Sequence, residues 1–400
     1  MVIRVAGLFA GIGGIEYGFK QALGQGVETV LLCESWDPAQ RVLRHRFPEV
    51  ELHPDVRALH SLPKNLDVVA AGFPCTDLSQ AGRTAGIRGS QSGLVSHVFD
   101  ILKDRAAKGI RLPTVLIENV PNMLSLSRGE AMRYLVHEFD ELGYRWAYRV
   151  VDTRSTGLPQ RRRRVLLVAS VELDPRQVLF ADEAQERPIT DYRDDAFGFY
   201  WTEGLGGLGW APDAVPTLKG GSTIGIASPP AIWLPYENDP IKSLVTPGVA
   251  SAESLQGFPV GWTDLDFNSA PARTRGMRWK LLGNAVSTRV SEWVAGRIAD
   301  PGDVVCPTVP WGSPNSWPTA ACGSNGSRER IEASEYPILR PYEHLLEHVE
   351  LDVTQPLSAR AVNGFHSRLR RGNLGWHPGF REAVSAADDR LHGAPVEVEA

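Results

Sequence analysis

The feature that most constrains the fold is an alternation of apolar strand patterns and amphipathic helix patterns over the first 170 residues. Apolar runs such as VIRVAGLFA, LDVVAAGFP and TVLIENV are separated from one another by segments with helical periodicity. Parallel strands buried on both faces form continuous apolar runs, and each crossover between them needs a helix. The alternation therefore predicts an α/β fold, in which helices cover both faces of a parallel sheet.

The pattern changes further along the chain, and the sequence predicts four segments. Residues 1–184 form a first, α/β domain. Residues 185–268 are rich in Gly, Pro and aromatic residues and lack helical periodicity, which indicates a small, loop-rich β domain. Residues 269–300 return to the first domain through the helical pattern AVSTRVSEWVAGRIAD, and residues 301–400 are a polar C-terminal extension without an assigned role.

Composition places the 400-residue chain among ordinary globular proteins, with 42% hydrophobic and 22% charged residues. It has no apolar run of about 18 residues that would span a membrane, and its N-terminus does not resemble a signal peptide. The four cysteines are scattered, as expected for a reducing cytoplasm and not for a disulfide framework or a zinc ribbon. Because the net charge is −5, a nucleic-acid contact needs a local basic patch, for which RSTGLPQRRRRV is the best candidate.

A glycine-rich turn follows the first predicted strand. LFAGIGGIEYGF places Gly11, Gly13 and Gly14 there, where glycines permit a sharp turn and the close approach of a ligand. Glu34 ends the second strand, where an acidic side chain commonly binds ribose hydroxyls. A dinucleotide fold would have a third glycine in place of Glu16, and a phosphate loop would have Gly-Lys-Ser/Thr. S-adenosylmethionine, which has no pyrophosphate, fits this pattern best.

Three further motifs carry candidate chemistry. Cys75 follows the third strand in GFPCTDLSQAG, and it is either an inert apolar residue or a loop thiol that becomes a nucleophile. Glu118 ends the strand in VLIENV, and it either caps a helix or points into the same cleft as Cys75 as a candidate general acid. In QRRRRV, Arg162 and Arg164 lie on one face of a strand, which indicates anionic or carbonyl partners.

The segment HLLEH, from His344 to His348, matches the H-x-x-E-H pattern of one class of zinc proteins. It lies in the polar C-terminal extension, and only 52 residues follow it that could supply a third ligand. A solvated helix is the preferred interpretation, and we expect no metal site.

Taken in order, these motifs resemble those of the C5-cytosine DNA methyltransferases over roughly residues 3–300. The similar segments are FAGIGG, CESWDPA, HPDVRAL, GFPCTDLSQAG, IENV, QRRRRV, SLVTPGVASAESLQGFPVGW and LLGNAV. Thr76 stands where the family commonly has Gln after the Pro-Cys pair. The resemblance implies a class I methyltransferase (Rossmann-like) sheet in the first domain and a target-recognition role for residues 185–268.

The resemblance also implies a role for each matching residue. Cys75 is the expected nucleophile and Glu118 the expected acid at the base, while Arg164 contacts the base and Arg162 supports the site. The implied cofactor-binding residues are Phe9, Gly11, Gly13, Gly14, Glu34, Trp36, Asp55, Val56, Pro74, Asn284 and Val286. The expected DNA-binding residues are Ser79, Arg83, Gln160, Lys219 and Thr223.

The implied activity is methyl transfer from S-adenosylmethionine to C5 of cytosine in a specific duplex DNA sequence. The base is expected to be flipped out of the duplex and bonded covalently to Cys75. The expected biological role is in a restriction-modification system or in the protection of phage or host DNA. The expected partner is double-stranded DNA, and whether a cognate restriction endonuclease is a second partner stays open. We expect a cytoplasmic monomer without membrane contact. Two alternatives also stay open, an RNA cytosine-C5 methyltransferase and a catalytically silent DNA-binding module.

Overall fold

The computed structural model describes residues 2–73, 93–203, 207–221, 229–312 and 316–393. The chain divides into two compact units. The first consists of Met1–Thr156, Arg163–Glu186 and Ala285–Arg340, and the second of Gly157–Arg162, Arg187–Asn284 and Pro341–Ala400. Residues 301–400, which the sequence suggests are one extension, are thus divided between the two units, and residues 269–284 belong to the second unit.

The first unit is built on a ten-stranded sheet, in the order β14-β16-β15-β6-β8-β5-β4-β1-β2-β3. Its strands are β1 (Ile3–Leu8), β2 (Val27–Cys33), β3 (Glu51–His53), β4 (Val68–Ala71), β5 (Thr114–Asn119), β6 (Arg145–Asp152), β8 (Arg163–Ser170), β14 (Thr308–Val309), β15 (Ala320–Ser324) and β16 (Ser327–Ile331). Its helices are α1 (Gly14–Leu23), α2 (Asp37–Arg46), α3 (Leu94–Ala107), α4 (Glu130–Glu141), α5 (Arg176–Leu179) and α8 (Thr288–Ala299).

Every pair of neighbouring strands among β1 to β5 is parallel, as the sequence pattern predicts. Strand β8 is instead antiparallel to both β5 and β6, because the connection over residues 153–162 contains no crossover helix. Strands β14 to β16 extend the sheet by antiparallel pairing beyond β6, in a region that the sequence suggests is part of the polar C-terminal extension. The predicted α/β sheet is therefore confirmed, but as a mixed sheet.

Helices cover both faces of this sheet. On one face, Leu102 of α3 and Phe139 of α4 belong to one apolar core. On the other face, Phe19 of α1 and Val294 of α8 belong to a second apolar core. The two cores fix the positions of the strand ends that carry the candidate site.

One carboxyl group is buried in the layer between helix and sheet. Glu16, in the first turn of α1, is only 2% exposed, and its Oε1 lies 1.9 Å from the position that a Cβ on Gly7 would occupy. Its Oε2 has no hydrogen-bond partner among the described residues. Burial raises the pKa of Glu16 to about 7, because the charged form loses its hydration.

We therefore expect this group to lower the stability of the protein as the pH rises. The pKa of Glu16 is about 7 in the folded chain and 4.5 as its ordinary value, so folding favours the protonated form. The protonated carboxyl group contributes up to ~3 kcal/mol to the free energy of unfolding. This stabilisation is fully present below the unfolded pKa of Glu16 and is lost as the pH rises through the folded pKa. Urea unfolding at about pH 5 and about pH 8 should show a smaller loss for Glu16→Gln than for the wild type. The exposed Glu28→Gln is the control, and equal losses in all three proteins would contradict the assignment.

The second unit contains a five-stranded sheet and a two-stranded sheet. The larger sheet consists, in spatial order, of β10 (Ala211–Pro212), β9 (Phe197–Phe199), β12 (Ala231–Trp233), β13 (Leu244–Thr246) and β17 (Gln355–Pro356). The smaller sheet pairs β7 (Gln160–Arg161) with β11 (Val215–Pro216). The helices of this unit are α6 (Val249–Leu255), α7 (Pro271–Asn284), α9 (Leu345–His348), α10 (Ala359–Arg371) and α11 (Phe380–His392).

The C-terminal residues are an integral part of the second unit. Strand β17 pairs with β13, and helices α10 and α11 pack on the larger sheet. Phe365 of α10 and Phe380 of α11 lie with Phe199 and Trp233 in one apolar core. Among the described residues, no helix is long and apolar enough to cross a membrane.

Candidate active site

The neighbouring parallel strands β5, β4, β1, β2 and β3 end at the same edge of the sheet in the first unit. Glu118 lies at the end of β5, the glycine turn follows β1, Glu34 follows β2 and Asp55 follows β3. In α/β folds, ligands bind outside the carboxyl ends of such strands. The structure thus brings together most of the site residues that the sequence suggests for this unit.

The turn after β1 depends on glycine. Gly11 and Gly13 have φ angles of 57° and 81°, and a Cβ on Gly13 would lie 2.3 Å from the ring of Phe47. Phe9 also has a positive φ of 55°, which is costly for a bulky side chain. Its ring packs edge-on against that of Phe73, with the centroids 5.4 Å apart. A strained backbone that its neighbours hold in place is typical of a ligand-binding turn.

Glu34 connects this turn to the end of β2. Its Oε2 accepts a hydrogen bond from the Gly11 amide and its Oε1 accepts one from the Trp36 amide, each at 2.8 Å. Burial raises the pKa of Glu34, and the amides of Trp36, Gly11 and Ser35 partly oppose this shift. Because each carboxylate oxygen can accept more than one hydrogen bond, Glu34 can still accept bonds from ligand hydroxyls.

Asp55 and Val56 follow β3 on the neighbouring strand. Val56 is buried, whereas Asp55 is partly exposed and forms a bidentate pair with Arg57, whose Nη2 lies 2.6 Å from Oδ2. The hydrogen bonds from Arg57 lower the pKa of Asp55, so this side chain is a carboxylate at neutral pH. The edge therefore offers two acidic side chains on adjacent strands.

These residues fit S-adenosylmethionine. No atom lies within 4 Å of the position that a Cβ on Gly11 would occupy, so this part of the turn is open to a ligand. Glu34 offers acceptors for a ribose diol, and Asp55 offers one for an exocyclic amine. No Lys-Ser/Thr pair follows the glycines to hold a phosphate. The set suits a nucleoside-bearing ligand without a pyrophosphate.

Replacing Glu34 with alanine should weaken the binding of S-adenosylmethionine by about 10- to 100-fold, since a hydrogen bond to a charged group contributes about 1.5–3 kcal/mol. Glu34→Gln keeps one acceptor oxygen and should give an intermediate affinity. Isothermal titration of the full-length protein measures both effects, with Glu28→Ala, an exposed change on the strand that precedes Glu34, as the control. An unchanged affinity in Glu34→Ala would remove this residue from the ligand site.

An ion pair lies further along the same edge. Nε of Arg164, near the start of β8, is 3.0 Å from Oε1 of Glu118, and the two side chains are only 13% and 14% exposed. The register places Glu118 opposite Leu166 and Asn119 opposite Val165. Because β8 runs antiparallel to β5, the start of β8, with Arg164, lies beside the end of β5, with Glu118.

Asn119 is a positioning residue that the sequence does not single out. It is 4% exposed, its Nδ2 donates to the carbonyl of Phe73 at 3.1 Å, and its Oδ1 accepts from the amide of Val120 at 2.8 Å. Phe73 is the last described residue before the segment that contains Cys75. The Asn119 side chain thus holds the chain in place where that segment begins. The sequence signal for this role was a polar residue directly after the apolar run in VLIENV.

Five predicted site residues lie outside the described residues, namely Pro74, Cys75, Ser79, Arg83 and Thr223. The three cysteines that the structure does describe are all buried. Burial raises the pKa of each thiol, to about 12 for Cys33 and to about 11 for Cys306 and Cys322. Since a nucleophilic thiol needs a low pKa and access to its substrate, none of these three is a candidate nucleophile.

The four arginines of QRRRRV alternate in exposure, as expected for an extended segment. Arg161 and Arg163 are exposed, while Arg162 is buried and Arg164 is partly buried. Arg162 belongs to the second unit, where its Nη1 donates to the carbonyl of Leu218 at 3.4 Å. The structure therefore gives Arg162 a carbonyl partner and Arg164 a carboxylate partner.

Gln160 and Lys219, both expected to contact DNA, belong to the second unit. Gln160 is fully buried; its Nε2 donates to the carbonyl of Leu255 at 2.8 Å, and its Oε1 accepts from the amide of Leu218 at 3.3 Å. A direct contact with DNA would require these bonds to break. Lys219 has an accessible side chain, whose Nζ lies 2.6 Å from Oε1 of Glu203.

The LLGNAV motif contains the last two predicted cofactor residues. Asn284 is an exposed residue of the second unit, and Val286 packs against an apolar core of the first unit. Gly283 is closely approached by another backbone segment, because a Cβ there would lie 2.1 Å from N of Gly220. This glycine is therefore required for packing within the second unit.

The histidines of HLLEH have protein partners. His344 Nδ1 lies 2.5 Å from Oδ2 of Asp213, and His348 Nδ1 lies 2.8 Å from Oγ of Ser254. Glu347 accepts a hydrogen bond from the His344 amide and completes a cap on α9. Within the part of the chain that the structure describes, no cluster of three or more His, Cys, Asp or Glu residues could hold a metal ion.

Comparison with known proteins identifies the family. A model of the C-5 cytosine-specific DNA methylase family matches residues 3–195. The type II methyltransferase M2.BsuMI of Bacillus subtilis (strain 168) is 42% identical over 394 residues, which cover 97% of this chain and 99% of that protein. The chain belongs to the C-5 cytosine-specific DNA methylase family. This methylase is also 31% identical to the type II methyltransferase M.BanI of Aneurinibacillus aneurinilyticus, over 45% of this chain and 41% of that protein.

Solved structures share the fold of the methylase. The S. pombe Dnmt2 methyltransferase has a TM-score of 0.54 at 15% identity, over 74% of this chain and 98% of its own. The Entamoeba histolytica methyltransferase EhMeth has a TM-score of 0.52 at 16% identity, over 75% of this chain and 98% of its own. They confirm the predicted methyltransferase fold, and the family shows that the protein is a DNA (cytosine-5-)-methyltransferase.

Proposed function

We propose that this methylase transfers a methyl group from S-adenosylmethionine to C5 of a cytosine within a specific duplex DNA sequence. The observation that carries the proposal is the convergence at one sheet edge of the glycine turn, Glu34 and Asp55 with the Glu118–Arg164 pair. Methyl transfer requires a donor site beside a site for the base, and adjacent strands supply both. When bound, the donor supplies an electrophilic methyl group on a sulfonium.

The cytosine needs activation, because its C5 is a weak nucleophile. In the proposed mechanism, the thiolate of Cys75 adds to C6, which forms an S–C6 bond and gives C5 the character of an enamine carbon. The negative charge that develops at N3 is neutralised by a proton from Glu118, while Arg164 donates a hydrogen bond to O2. C5 then forms a bond to the methyl carbon, and the S–CH3 bond breaks to leave the donor as a neutral thioether. Water accepts the C5 proton, the S–C6 bond breaks, and the N3 proton returns to Glu118, which restores the ring and the thiolate.

Two features of the chain support this division of roles. The Arg164 guanidinium lies 3.0 Å from Glu118, so both groups are held at the same edge before a base arrives. The Asn119 amide fixes the Phe73 carbonyl, which lies two residues before Cys75. C5 and C6 of a stacked cytosine are inaccessible to such a site, so we infer that the target base is flipped out of the duplex.

We assign recognition of the target sequence to the second unit. Lys219 offers an accessible cation there, and Gly220 is packed against Gly283, just before the predicted DNA-binding residue Thr223. The relatives M2.BsuMI and M.BanI are named type II methyltransferases. We therefore propose that the methylase protects DNA in a type II restriction-modification system, with duplex DNA and a cognate endonuclease as its partners.

The proposal is tested by expressing the methylase in cells that lack cytosine methylation and sequencing their DNA after bisulfite treatment. We expect protected cytosines within one short sequence. In parallel, the purified protein should transfer tritiated methyl groups to duplex DNA and not to tRNA. Transfer to tRNA alone would favour an RNA methyltransferase. An absence of methyl transfer to any duplex would overturn the proposal.

A further inference from the structure

A short segment of the second unit, residues 368–381, carries a local concentration of positive charge. Residues 368–381 contain four arginines and no acidic residue, although the whole chain has a net charge of −5. Arg370 and Arg371, in the last turn of α10, are exposed and take part in no ion pair among the described residues. Cations there interact favourably with the helix dipole. That effect falls off within one turn, so it does not explain the surface beyond the helix.

A solvent-exposed tryptophan follows Arg370 and Arg371 along the chain. Trp376, in the connection between α10 and α11, is 72% exposed. The Arg381 guanidinium lies 4.4 Å from the centre of its ring and donates to the carbonyls of Leu374 at 2.7 Å and Leu369 at 2.5 Å. The Arg381 guanidinium, held by these two carbonyls, thus packs against the indole, which remains exposed to solvent. Together, the exposed indole and the guanidinium packed on it offer a partner an aromatic face and a positive charge.

The connection that presents Trp376 is firmly attached to the unit. The ring of its neighbour His377 stacks on Trp210, with centroids 3.8 Å apart and the planes at 5°. Phe380 packs edge-on against the same Trp210 at 4.9 Å. The exposed Arg161 donates to the carbonyl of Trp210 at 2.8 Å, which adds a further cation to the same neighbourhood. The surface is therefore preorganised and costs little ordering on binding.

Among the described residues, neither Arg370 nor Arg371 forms an ion pair with a carboxylate. Burial and then the neighbouring charge of Arg371 lower the pKa of Arg368, which shows that like charges are close together here. Unneutralised arginines gain most from an anionic partner, and in nucleic acids the regularly spaced phosphates release counterions when cations bind them. An exposed aromatic ring next to a cation can pack against the sugars of the same polymer while the cation contacts a phosphate.

We propose that Arg370, Arg371 and Trp376 form a surface for the backbone of duplex DNA, additional to the site that binds the target base. The two arginines contact phosphates, and Trp376 packs against the neighbouring sugars. The surface strengthens binding without selecting sequence, because phosphate contacts carry no sequence information. This inference rests on the proposed function, in which duplex DNA is the substrate.

The test compares the full-length wild type with Arg370→Ala/Arg371→Ala and with Trp376→Ala, using duplexes that contain the methylated sequence. For the double variant, the slope of log Kd against log salt concentration should fall by about 2, with a loss of affinity of about 10-fold or more at low salt. For Trp376→Ala, we expect a loss of about 10-fold that depends little on salt, while Trp376→Phe should retain most of the affinity. The KM for DNA should rise in parallel, with kcat unchanged at saturating DNA.

The matched control is Arg390→Ala. Arg390 is an exposed arginine near the far end of α11, and it should leave the salt slope unchanged. Sedimentation of the same proteins measures their oligomeric state and so tests whether the surface binds a second copy of the chain instead of DNA. A wild-type dimer that the double variant converts to a monomer, with an unaltered DNA salt slope, would show a surface for a second copy and overturn the inference.

The two proposals fail in distinguishable ways. If the double variant binds and methylates DNA like the wild type, the surface is rejected while the proposed function stands. If the wild type binds duplex DNA with the expected salt slope but transfers no methyl group, the proposed function is rejected while the surface stands.

Discussion

Replacing Cys75 with alanine should reduce methyl transfer by about 10⁴-fold or more, while leaving the affinity for S-adenosylmethionine close to that of the wild type. Without the thiolate, C6 of cytosine receives no electron pair and C5 keeps the low nucleophilicity of the free base. The residues that fit the cofactor, among them Gly11, Glu34 and Asp55, belong to other strand ends and remain unchanged. Transfer of tritiated methyl groups measures the first effect, and isothermal titration measures the second.

A duplex that contains 5-fluorocytosine at the target position isolates the covalent step. The C5 fluorine cannot leave as a proton after methyl transfer, so the S–C6 bond persists and the protein–DNA adduct survives denaturing electrophoresis. The wild type should form this adduct and Cys75→Ala should not. Cys322→Ala is the matched control, because burial raises the pKa of that thiol to about 11 and it should not react. A trapped adduct in Cys75→Ala, or retained turnover, would remove Cys75 from the nucleophile role.

The sequence predicts the central part of the sheet because those strands follow a simple rule. The centres of LDVVAAGFP and TVLIENV are continuous apolar runs, since the central residues of β4 and β5 are buried on both faces. The direction of β8 could not be predicted in this way, because an apolar run looks the same in parallel and antiparallel strands. Strands β14 to β16 have only two to five residues each, which leaves no periodicity to detect.

The candidate site, like the sheet, is predictable from the sequence only in part. Glu34 and Glu118 are predictable because each is an acidic residue that ends an apolar strand. The pairing of Glu118 with Arg164 is not predictable from spacing, since it depends on the register between β5 and β8. Gln160, expected at the DNA, is buried instead, because an amide in a polar motif can equally well connect two segments of the fold. Long-range hydrogen bonds of this kind leave no local signal in the sequence.

Glu118→Gln should slow methyl transfer by about 10²-fold or more, because a neutral amide cannot give a proton to N3 of the base. The substitution keeps the size of the side chain and its ability to accept a hydrogen bond from Arg164. Glu335→Gln is the matched control, since Glu335 forms an ion pair with the adjacent Arg163 and undergoes the same change of charge. Single-turnover rates on the target duplex measure the effect, and an unchanged rate in Glu118→Gln would reject the acid role.

A purely positional role for Glu118 predicts a different result in combination with Arg164. If Glu118 serves only to hold the guanidinium, then adding Glu118→Gln to Arg164→Ala should cause no further loss of rate. If Glu118 transfers a proton to N3, the double variant should be slower than Arg164→Ala alone by a factor close to that of the single change. The 3.0 Å contact between the two side chains makes some coupling certain, and the size of the residual effect measures the chemistry that belongs to the carboxyl group itself.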